Sequence, residues 1–115
     1  MGSMKGTVVN MQIDALFDLV INAVNGISGF TVLSKNRCEH QLTVRVKPTL
    51  LSRKRYFTIA LAGIPWDREK TVLLFYEGTD RGREIQHGSR SYAYVCTVRE
   101  RMDSLVKNGL PIQYS

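Results

Sequence analysis

Two rhythms of apolar and polar positions run along this chain. Across residues 11–27, Ile13, Leu16, Phe17, Val20, Val24 and Ile27 recur at steps of three and four, which gathers them on one face of a helix. Asn10 is the expected N-cap, its side-chain oxygen accepting an otherwise orphaned backbone N–H. Asp14 lies near the helix start, where the dipole favours a negative charge, and Asp18 follows one turn later on the outward face. Gly26 and Gly29 bracket the exit, where a positive φ is often needed. Residues 5–9 fit a short leading strand.

The period then changes. Residues 30–34 are strand-like, and Leu42, Val44 and Val46 alternate with Thr43, Arg45 and Lys47, the period of two of a half-buried strand. Phe57, Ile59 and Leu61 alternate with Tyr56, Thr58 and Ala60, and residues 48–53 between the two runs suit a hairpin connection. Residues 71–76 are apolar on both faces, as in a central strand or a protected edge. Residues 63–67 read as the loop before that strand, with Trp66 as an anchor packing onto the core. Residues 77–82 read as the turn after it, and 83–87 as a brief further strand.

The helical period returns with Tyr92, Val95, Val98, Met102 and Leu105, with Ser89 or Ser91 as cap, Lys107 in the last turn and Asn108-Gly109-Leu110-Pro111 as a stop. Short connections favour antiparallel pairing, and two amphipathic helices pack most simply on one face of one sheet. The expectation is a two-layer α+β sandwich: N- and C-terminal helices on one face of a four- or five-stranded, mainly antiparallel sheet. It forms one domain over residues 4–115, with 1–3 having the look of a cloning remnant.

Composition sharpens this picture in one respect. The chain has 115 residues and a formal charge of +6, and residues 35–55 alone carry that whole excess: Lys35, Arg37, Arg45, Lys47, Arg53, Lys54 and Arg55 against Glu39. A focused basic zone attracts polyanions. If the two strands pair across residues 48–53, Lys47 stands opposite Lys54, Arg45 opposite Tyr56 and Thr43 opposite Thr58, on the face away from Val44, Val46, Phe57 and Ile59. The cations would neutralise phosphates and Tyr56 would offer a ring for a base. Arg53 and Arg55 add charge at the strand mouth. The candidate site is therefore Arg45, Lys47, Arg53, Lys54, Arg55 and Tyr56.

A secondary anion candidate is Arg81, Arg83 and Arg90, in glycine-bearing segments leading into the last helix, where free N–H groups favour anions. The spacing is neither that of a phosphate loop nor that of a dinucleotide turn. Catalytic signals are weak. Cys38-Glu39-His40 places a thiol near an imidazole, but a nucleophile needs its base within reach and a third group to orient that base. No metal-ligand spacing links Cys38, Cys96, His40 and His87, so neither metal nor cofactor is expected. Two distant cysteines and no 18-residue apolar run suggest an intracellular, cytoplasmic protein.

The run from Phe57-Thr58-Ile59-Ala60 through Leu73-Leu74-Phe75-Tyr76 to the final helix resembles the kinase-associated C-terminal domain. That family's basic face binds anionic phospholipid or the kinase itself; residues 77–91 are longer than its pattern. The helix–strands–helix order also resembles the Alu-RNA-binding pair of the signal recognition particle, which uses a sheet face for RNA, with four strands here in place of three. Neither resemblance transfers a functional residue. The expected function is a non-enzymatic module binding a polyanion, nucleic acid ahead of an anionic membrane surface. The alternatives are a protein-interaction or self-associating domain, or a phospholipid binder like the kinase-associated domain.

Overall fold

The computed structural model describes residues 6–50, 53 and 55–106. The chain runs β1 (Thr7–Val9), α1 (Ile13–Asn25), β2 (Phe30–Asn36), β3 (Gln41–Val46), β4 (Arg55–Ile64), β5 (Asp67–Glu77) and α2 (Tyr92–Val106). The five strands form one antiparallel sheet in the order β1-β5-β4-β3-β2, and both helices pack against it. β2 to β5 is a simple meander. β1 instead joins the far side of β5, with Thr7 opposite Leu73, so α1 carries the chain from one edge of the sheet to the other.

Alternation decides which strand residues meet the helices. Leu42, Val44, Phe57, Ile59, Leu61, Leu73 and Phe75 join Leu16, Phe17, Val20 and Val24 of α1 and Val95, Val98 and Met102 of α2 in one buried core. Its centre is aromatic. Phe57 meets Phe30 edge-on at 5.5 Å and stacks on Tyr94 of α2 at 5.5 Å. Each such contact adds about 0.5–1.5 kcal/mol to the area the rings bury. On the other face of the sheet, Ala60, Val72 and Leu74 form a smaller apolar cluster with Val8, Ala62, Ile64 and Tyr76 around it. The two-sided apolarity of residues 71–76 thus belongs to a strand flanked on both sides by neighbours.

Several local expectations are corrected. Asn10 does not cap α1; Gln12 holds that position without a side-chain bond. β1 runs to Val9, and the Met11 N–H bonds back to the Val9 carbonyl, which delays the helix until Ile13. Gly29 has φ +90°, whereas Gly26 ends the helix in the right-handed region at φ −90°. Residues 63–67 are no open loop. β4 and β5 continue to a tight turn at Pro65-Trp66, with a register shift at Gly63/Ile64. The ladder lifts Trp66 past the core, leaving it 86% exposed rather than packed as an anchor. Residues 83–87 make no strand; Glu84 forms a single bridge to Tyr76. The Ser91 hydroxyl donates to Glu77 Oε1 and that of Ser89 to the Gln86 carbonyl. Lys107 and the stop after it lie outside the described residues.

Candidate functional site

The β3–β4 register places the basic residues. Arg45 stands opposite Tyr56 and Thr43 opposite Thr58, with Val44 opposite Phe57 on the helix side. Both strands alternate, so one correct pair fixes every other. Arg45 and Tyr56 are half-buried on the face away from the helices. The Lys47 N–H donates to the Gly29 carbonyl at 2.7 Å, tying the end of β3 to the chain entering β2. Gly29, Thr31, Arg45, Lys47 and Pro48 line a shallow concavity of about 480 Å³ there. Arg53, two residues before β4, is exposed. Arg55 pairs with Val46 and is therefore on the helix side of the sheet, and Lys54 lies outside the described residues.

Among the described residues Arg45, Lys47, Arg53 and Arg55 form no ion pair, whereas Arg37 does. Its guanidinium bonds Asp18 at 2.8 Å and lies 5.1 Å from the Phe17 ring centre. Arg37 is thus neutralised by α1; Lys35, opposite Leu42 at that same end, has no ion pair among the described residues, and Arg45 and Lys47 stand unpaired toward the other end of β3.

The two threonines are not presented to solvent. Thr58 is 0% and Thr43 6% exposed, although both point away from the helices. The segment after β5 accounts for this. Gly78 extends the ladder by one bond, its N–H to the Tyr56 carbonyl at 3.0 Å, then turns at φ +85°, a conformation that suits glycine. Its carbonyl accepts from Thr58 Oγ1 at 2.9 Å. Three residues later Arg81 Nε donates to Gln41 Oε1 at 2.7 Å, so the loop folds back over the sheet as far as β3. Nothing in the sequence pattern links the hairpin to this loop, yet they meet on one face. No periodic signal could have shown that, because the contact joins residues 40 positions apart.

Arg81, Arg83 and Arg90 do not converge. Arg81 is engaged with Gln41, the Arg83 carbonyl accepts the Glu77 N–H, and the side chains of Arg83 and Arg90 are exposed. The Ser91–Glu77 bond at 3.1 Å also places a carboxylate beside the start of α2, where the helix dipole favours an anion.

Cys38 and His40 occupy a turn, with Cys38 exposed. His40 Nε2 faces Asp14 Oδ1 at 2.9 Å, and its ring meets Phe17 edge-on. The imidazole is oriented toward α1, and its partner is a carboxylate, not the thiol. Among the described residues no three His, Cys, Asp or Glu side chains gather where they could hold a metal, and no helix is long and apolar enough to cross a membrane. The strand ahead of α1 departs from the helix–strands–helix order on which both resemblances rest. No protein-family model matches the chain, and no curated protein matches it.

Proposed function

We propose that this protein is a non-enzymatic binding module that holds a polyanion, nucleic acid in the first place, at the β3–β4 end of the sheet. One observation carries this reading: Arg45 and Lys47 line a shallow concavity without an ion-pair partner among the described residues, while Tyr56 stands directly opposite Arg45. A polyanion would gain from these cations by releasing its counterions, and the ring of Tyr56 would add a stacking contact that tolerates any base. Arg53, exposed two residues before β4, would raise the positive potential near this end of the hairpin; Lys54, outside the described residues, belongs to the same proposed set, whereas Arg55 is on the helix side. Thr43 and Thr58, being covered, take no part, so the proposed surface is narrower than the whole sheet face.

The test is a salt titration of binding to single- and double-stranded oligonucleotides, with vesicles of anionic phospholipid as a second arm. If Arg45, Lys47 and Arg53 each contact a phosphate, the slope of log affinity against log salt on duplex DNA is about −2.7, and Arg45→Ala reduces its magnitude by about one. Salt-independent binding, or none at low ionic strength, would overturn the proposal. Binding to vesicles alone would replace nucleic acid with the lipid surface.

A further inference from the structure

On the helix side of the sheet, away from the face just described, a cavity of about 290 Å³ lies between β1, the end of β5, the 84–87 segment and α2. We propose that it binds a small monocarboxylate with an apolar tail, and that Arg99 holds the carboxylate. The volume sits at the lower end of small-molecule pockets, which restricts the ligand to a short chain or a single ring.

Leu73 and Phe75 of β5 and Val95 of α2 supply apolar wall, and each is at least nine-tenths buried. Arg99 projects from α2 into the same wall and donates Nη2–H to Thr7 Oγ1 on β1. Its Nε is buried without a hydrogen-bond partner, and among the described residues the guanidinium has no ion pair. Arg99 as a whole is half-buried, so its charge is only partly withdrawn from water, and an anion beside its accessible nitrogens would lower that cost. A carboxylate matches the planar fork of a guanidinium, and its attached hydrocarbon suits the apolar part of the wall. The hydrocarbon part of the ligand would then lie toward the half-buried ring of Tyr92, with Leu73, Phe75 and Val95 closing the wall behind. Glu84 lines the cavity too and forms no ion pair with Arg99 among the described residues. Its charge would repel a second carboxylate, so the site selects monocarboxylates over dicarboxylates.

Amide-resolved NMR titration of the intact chain tests this with hexanoate, benzoate, 1-hexanol and adipate. Hexanoate or benzoate is expected to shift the amides of Thr7, residues 84–87 and the first turns of α2 in a saturable way. Hexanol and adipate are expected to bind at least about tenfold more weakly, equivalent to about 1.4 kcal/mol. Arg99→Met should lose a similar factor, and Arg99→Lys should recover part of it. The proposal is overturned if neither monocarboxylate gives saturable shifts up to about 20 mM, where even a weak millimolar site would fill. It is equally overturned if hexanol binds as well as hexanoate, or if a folded Arg99→Met binds as the parent does. Should that variant not fold, the comparison of hexanoate with hexanol on the unaltered protein decides the matter. The cavity and the basic face lie on opposite sides of the sheet, so oligonucleotide binding can fail while this site stands.

Discussion

The bond from Thr58 to Gly78 invites a direct perturbation. Thr58→Val keeps the branched shape at a position that is 0% exposed and removes only the donor to the Gly78 carbonyl, 2.9 Å away. A neutral buried hydrogen bond contributes about 0.5–1.5 kcal/mol, and stranding one partner adds to the loss. Gly78 is exposed, so its carbonyl regains water if the loop lifts, which limits the penalty. The expected cost is about 1–2 kcal/mol, using the net value for a hydrogen bond with a partly rehydrated acceptor. For a domain of this length that is a drop of about 4–8 °C in Tm. Urea unfolding measures the cost, and hydrogen exchange at Gly78 locates it, because that amide bonds the Tyr56 carbonyl only while the segment is seated. Thr58→Ser is the matched control: it loses a methyl group, at about 1 kcal/mol, but keeps the hydroxyl and should keep the Gly78 protection. If Thr58→Val retains both the parent midpoint and the parent protection, the bond does not hold the loop on the sheet.

Two further expectations concern the N-terminal edge and the hairpin tip. A Cβ on Gly6 would sit 2.5 Å from Val72 Cγ1, 2.7 Å from Leu74 Cδ2 and 2.9 Å from the Leu73 carbonyl. Gly6→Ala should therefore destabilise by about 1–3 kcal/mol, as overpacking does, despite the usual gain from a stiffer unfolded chain; a neutral or more stable variant in urea unfolding would contradict this packing. Trp66, the chain's one tryptophan, is 86% exposed. Its native fluorescence should already resemble that of the unfolded chain, and Trp66→Ser should change stability by less than about 0.5 kcal/mol.

Alternation made much of the sheet legible. Residues 42–47 and 56–61 each keep a clean period of two, and a one-residue slip would have turned Val44 and Phe57 out to water, so the Arg45–Tyr56 register could be read in advance. α1 and α2 were legible for the same reason at a longer period. What escaped was set by tertiary context. Gly63 and Pro65 look like breakers, yet Gly63 stays in the ladder beside a register shift and Pro65 occupies the turn. A lone Trp66 has no periodic partners to say whether it packs inward. Thr58 reads as an outward polar residue because nothing local announces the loop that buries it. Arg99 carries no signal in the sequence pattern, because only the approach of β1 and residues 84–87 gives it a cavity to line. Of the candidate site, the placement of Arg45 and Tyr56 was readable, whereas the pairing of Arg37 with Asp18 and the coverage of Thr43 were not.

The pairing of β1 with β5 bears on the order in which the molecule assembles. β2 to β5 are joined by successive hairpins, each closing a short stretch of chain, whereas Thr7 must find Leu73 across most of the sequence. Distant contacts carry the larger closure entropy and are made late. With only three residues, β1 has little enthalpy of its own to hasten that step. On this ordering its side of β5 would stay unpaired until the rest of the sheet has formed, an open seam through which a nascent chain could accept the strand of a neighbour before its own arrives.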